Sequence, residues 1–85
     1  MIFLVDYHRP TGKLVQLLRF GDLEQRKAEE TRLEIELKLN REGLGEDREV
    51  VLLQAEDEDA LRRTHRRYFE DLRQMSTTSA HQSIS

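Results

Sequence analysis

Residues 22–43, DLEQRKAEETRLEIELKLNREG, decide the fold, because part of this stretch satisfies two periodicities at once. Leu33, Ile35, Leu37 and Leu39 alternate with Glu34, Glu36, Lys38 and Asn40, the pattern of a strand with one wet face. Both ends point instead to a helix. Asp22 can accept from the backbone N–H of Gln25, whose side chain can reach back, as in a capping box. Gly43 sits where a left-handed residue closes a helix, and Leu44 after it can then touch Leu39. Between these ends nearly every residue is a strong helix former, with only Thr31 and Ile35 β-branched. We read a helix from Asp22 to Glu42. If residues 32–40 form a strand instead, the fold becomes a four-stranded antiparallel sheet with one C-terminal helix.

Upstream, Ile2, Phe3, Leu4 and Val5 are apolar on consecutive positions, as in a strand covered on both faces, which makes Ile2 to His8 the central strand. Arg9-Pro10-Thr11-Gly12 supplies a fixed φ and then a glycine before a second apolar run from Leu14 to Phe20, so a hairpin is the economical reading. Downstream, Glu49 to Ala55 holds Val50, Val51, Leu52 and Leu53 and reads as a third, well-buried strand. A second helix is expected from Asp57 to Met75. Acids fill its first turn, and Leu61, Tyr68, Leu72 and Met75 share one face. Ser76 to Ser85, with four Ser and two Thr, reads as a disordered tail following a single domain over residues 1–75.

The element order ββαβα constrains topology. A right-handed crossover makes the third strand parallel to the second, so the third strand pairs beside the first. The expected fold is α+β, with a three-stranded, mainly antiparallel sheet in order 2-1-3 and two helices.

The chain has 85 residues, 36% hydrophobic and 36% charged, with a net charge of −3. Leu, Ile, Val and Phe total 23 (13, 3, 4 and 3), above the roughly 20% below which chains fail to collapse. No apolar run approaches the ~18 residues that span a bilayer, and no leader-like start is evident, so a soluble cytoplasmic protein is expected. Cysteine is absent, which excludes disulfides, thiolate catalysis and cysteine-ligated metals.

The dense basic cluster, residues 62–67, offers Arg62, Arg63, His65, Arg66 and Arg67 as contacts for a phosphate or nucleic acid. Its spacing favours self-pairing. Glu58, Arg62, Arg66 and Glu70 form one i, i+4 row, and Asp59, Arg63, Arg67 and Asp71 form a second. His65 lies between Leu61 and Tyr68 on the apolar stripe, where a packing role outweighs that of a general base or ligand. The isolated glycines build no phosphate loop, and no catalytic, metal or cofactor-binding constellation emerges.

The segment Val50-Val51-Leu52-Leu53-Gln54-Ala55 running into Ala60 to Phe69, after the start Ile2-Phe3-Leu4-Val5-Asp6-Tyr7, resembles a group of short bacterial proteins of unassigned activity. The likeness covers residues 1 to about 72 and implies a bacterial cytoplasmic origin and no particular reaction.

The functional expectation is therefore a protein-interaction module. If both helices pack together on one face of the sheet, the other face stays apolar, and a second copy would cover it through Ile2, Leu4, Val15 and Leu52. Nucleic-acid or phosphate binding through the arginine cluster is the alternative.

Overall fold

The computed structural model describes residues 1–70; the predicted helix beyond Glu70 and the predicted tail lie outside them. Strands β1 (Ile2–His8) and β2 (Lys13–Phe20) form the hairpin. A short 3-10 turn (Asp22–Glu24) leads into α1 (Gln25–Arg41), which is followed by β3 (Arg48–Gln54) and α2 (Glu58–Thr64). A second 3-10 turn, Arg66–Tyr68, ends the described chain's regular structure. The sheet order is β2-β1-β3 with both pairings antiparallel, and the fold is α+β, as the element order required.

The helical reading of the ambiguous stretch holds because its ends close as helix ends. Gly43 takes φ +74, its N–H reaches the Asn40 carbonyl at 3.2 Å, and Leu44 N–H reaches the Leu39 carbonyl at 2.8 Å. These two bonds are the paired 5→2 and 6→1 closure of a Schellman ending. The cap lies one residue earlier than predicted, while the α-helix itself begins three residues later, at Gln25, after the 3-10 turn. Gly21, not Asp22, caps the first turn: its N–H donates to Glu24 Oε1 at 2.8 Å, while Glu24 N–H returns to its carbonyl at 2.9 Å. The Asp22 carboxylate is drawn away to the N-terminal ammonium of Met1, 2.5 Å distant.

Residues 2–6 of β1 are all buried, Ile2, Leu4 and Asp6 on one face and Phe3 and Val5 on the other. Helix α1 covers the first face, where Ala28 and Ile35 pack with Ile2, Leu4, Leu18, Phe20, Val50 and Leu52. The second face is covered by α2 and the turn after it. Arg19, paired with Phe3, reaches Glu58 at 2.7 Å, and Tyr68 meets Tyr7 edge-on with ring centroids 5.3 Å apart.

This corrects the expected packing of both helices on one face. Ile2 and Leu4 are fully buried and Leu52 is half-buried under α1, so the chain's own core consumes three of the four residues assigned to a dimer face. The fourth, Val15, is 47% exposed. The second helix is also shorter than the predicted span to Met75. Asp57 caps it by accepting from Ala60 N–H at 2.8 Å, but His65 leaves helical geometry at φ −125, ψ 53. The following 3-10 turn swings Tyr68 down onto Tyr7, a contact that an uninterrupted helix would forgo.

Candidate functional site

One end of the sheet carries two polar clusters, one on each face. On the α1 face, Arg48 on β3 grips Asp6 on β1 through two parallel bonds, Nε to Oδ1 at 2.8 Å and Nη2 to Oδ2 at 2.7 Å. Gln16 on β2 donates to the same carboxylate at 3.3 Å, so one fully buried acid ties all three strands. The hydrogen bond to Asp6 holds the Arg48 guanidinium above its ordinary range, against the opposing effect of burial.

On the other face Glu49 is the hub. The Tyr68 hydroxyl donates to Glu49 Oε2 and accepts from Arg67 Nη2 at 2.6 Å, while the same Arg67 nitrogen reaches Glu49 Oε2 at 2.5 Å. Arg9 approaches the other carboxylate oxygen at 3.6 Å, and the Arg67 guanidinium lies 4.2 Å over the Tyr68 ring. Burial pushes the Glu49 carboxyl up, but the Tyr68 hydroxyl, Arg67 and Arg9 together more than cancel this and leave it below the ordinary range. Burial and the bond to Glu49 both raise the Tyr68 phenol.

These contacts engage most of the basic cluster. Arg62 binds Glu58 at 3.1 Å and sits 4.6 Å over the Phe69 ring, and Arg66 binds Glu70 at 3.0 Å, both along the predicted i, i+4 row. The hydrogen bond from Arg62, joined by Arg19, holds the Glu58 carboxyl below its ordinary range despite desolvation. Arg67 turns to Glu49 across the fold, and Arg63 is exposed with no ion pair to another described residue. His65 Nδ1 lies 2.9 Å from the Thr64 hydroxyl, and His8 Nδ1 lies 2.7 Å from Thr11 Oγ1. The structure thus brings together Tyr7, Glu49, Arg67 and Tyr68, of which the sequence marks only Arg67 as a phosphate-binding candidate, and leaves His65 apart from them. Neither Asp6 nor Glu49 could be found from spacing, because Asp6 acts through cross-strand register and Glu49 through the fold of the turn after α2.

A further feature is the pair of sheet edges. In β2 the register with β1 slips between Asp6 and Tyr7, which leaves Val15 unpaired as a bulge; bulges of this kind blunt an edge against strand addition. In β3 the register with β1 is unbroken from Arg48 to Gln54, with no proline or lysine. Ala55 N–H donates to the Met1 carbonyl and Arg9 N–H to the Asp47 carbonyl, so the odd-numbered residues of β3 bond inward to β1. The backbone groups of Arg48, Val50, Leu52 and Gln54 then point outward, and among the described residues no strand pairs with them. Expected to be well buried, β3 is only half-buried from Arg48 to Leu53 because it is an edge. The 2-1-3 order held that signal: a run as apolar as Val50 to Leu53 falls on an outer strand.

Helix α1 adds Leu33 and Leu37, 57% and 52% exposed, one turn apart and away from the core stripe of Ala28, Ile35 and Leu39. No helix among the described residues is long and apolar enough to cross a membrane. The chain matches no protein-family model, no curated protein and no solved structure.

Proposed function

We propose that this chain is a protein-interaction module that self-associates by pairing the outer edge of β3 with the same edge of a second copy. The observation that carries this reading is the contrast between the edges. A bulge interrupts β2, whereas β3 presents an unbroken row of outward donors and acceptors flanked by half-buried Val50, Val51, Leu52 and Leu53. Strand addition is the recognition mode that such an edge supports. The edge is also self-complementary. An antiparallel pairing centred on Val51 sets Val50 against Leu52 and Arg48 against Gln54 of the second copy, with outward groups facing outward groups and no like charges opposed. Phosphate or nucleic-acid binding has less support, because Arg62, Arg66 and Arg67 are engaged within the chain.

Sedimentation equilibrium on the full chain tests the proposal. Association should give a species of twice the 10.1 kDa chain mass. The Val50→Pro change removes an outward donor without touching the β1 ladder, and should return the protein to a folded monomer. A single monomeric species at every accessible concentration of the unchanged protein would refute the reading.

A further inference from the structure

We infer that the same two-fold axis brings α1 of each copy together, with Leu33 of one chain against Leu33 of the other. This rests on the proposed pairing through β3 and names the second part of that interface.

The first observation is position. Gln25, at the start of α1, borders a hollow with Leu52, Leu53 and Gln54, while Glu36, Leu39 and Asn40 border another with Arg48 and Val50. Helix α1 therefore runs antiparallel to β3. The lengths agree: six strand steps from Arg48 to Gln54 cover about 20 Å, and fifteen helical steps from Gln25 to Asn40 cover about 22 Å. The midpoint of β3 is Val51, and the midpoint of that helical span falls between Arg32 and Leu33. An axis through Val51 consequently passes level with Leu33.

The second observation is direction. Viewed down α1, Glu36 and Asn40 lie on the flank that faces β3, and Leu33 shares a shallow hollow with Glu29, Arg32 and Glu36 on that flank. Leu33 thus projects outward on the β3 side of the helix, while Leu37, one turn on, is turned further from the sheet.

The third is distance. Paired strands lie about 4.8 Å apart, so the axis runs about 2.4 Å outside β3. Helix α1 packs on all three strands and most on β3, which sets it toward the β3 side of the sheet. Two such helices related by the axis lie about 10–12 Å apart, within reach of leucine side chains directed at one another. Glu29, Arg32 and Glu36 flank the crossing, with Arg32 bound to Glu36 at 2.6 Å in its own helix.

The test exploits the absence of cysteine from the chain. A Leu33→Cys variant alters an exposed position, so the fold should be kept. Mild oxidation of the dilute protein should link it rapidly into covalent dimers. A Leu23→Cys variant is the control: Leu23 is fully exposed and lies ten residues, about 15 Å of helix, from the axis. Linking at Leu33→Cys should be at least tenfold faster. If the unchanged protein sediments as a dimer while Leu33→Cys links no faster than Leu23→Cys, the crossing of the two helices is refuted and the β3 pairing survives. If the unchanged protein is monomeric, both fail.

Discussion

Asp6 and Arg48 illustrate how unequal the two halves of an ion pair can be. The Asp6 carboxylate is sealed from water, while Arg48 keeps a 19% exposed side chain and can carry its charge outward. Removing Arg48 strands a buried acid whose other side-chain donor is Gln16; removing the acid frees a base that finds solvent. We therefore expect Arg48→Met to cost about 3–5 kcal/mol in urea unfolding and Asp6→Asn clearly less. At Glu49 the readout is pH. Its carboxyl is held below the ordinary value of 4.5 in the fold, so its contribution is present above that pH and is lost as pH falls through the lowered value. The stability gap between the native chain and Glu49→Gln should be flat from about pH 5 to 8 and close below about 4.5. Tyr68 behaves oppositely: its raised value keeps the neutral phenol in place past pH 10.0. In a Tyr7→Phe variant it is the sole tyrosine, and its absorbance should titrate above 10.0. Neither cluster was legible in the sequence. Asp6 and Arg48 are 42 positions apart, and Glu49 and Tyr68 are 19 apart; the register of β3 on β1 makes neighbours of the first pair, and the turn after α2 of the second.

Elements were more legible than contacts, because an element's ends are written in adjacent residues. The closing glycine and the leucine after it resolved the helix against an alternating pattern that, read alone, describes a strand. Leu33 and Leu37 make that pattern ambiguous, and both face away from the core. Helix α2 was misjudged for the converse reason. Its apolar spacing continues past Thr64, but Tyr68 gains more by closing on Tyr7 and Glu49 than by extending a helix, and no local residue announces this. Gly43 allows a clean measurement at this scale. A β-carbon there would meet nothing within 4 Å, so the cost of Gly43→Ala arises from its φ of +74 alone. We expect about 1 kcal/mol, read as a lower urea midpoint with an unchanged slope. A much larger loss would mean that the Schellman ending also holds the approach to β3 in place.

At the scale of the molecule, the sheet order followed from element order, but the distribution of helices over its faces did not. The consecutive apolar residues of β1 state that both faces are covered without stating by what. The structure answers with α1 on one face and α2 with its following turn on the other, which moves the unfilled surface from a face to the edge of β3. Association through an edge couples stability to concentration, since only the folded chain presents a paired strand. Raising the protein from its dissociation constant to a hundredfold above it should add about 1 kcal/mol per chain, because in self-association the free partner is itself depleted. In a domain of this size each kcal/mol moves the unfolding temperature by about 4–8 °C, so the midpoint should climb by about that much over the range. The Val50→Pro variant should unfold at one temperature whatever its concentration. The Val15→Lys variant, altered at the bulge of the opposite edge, should keep the full slope. If Val15→Lys flattens the dependence and Val50→Pro does not, the copies meet through β2, and the bulge has failed as a barrier.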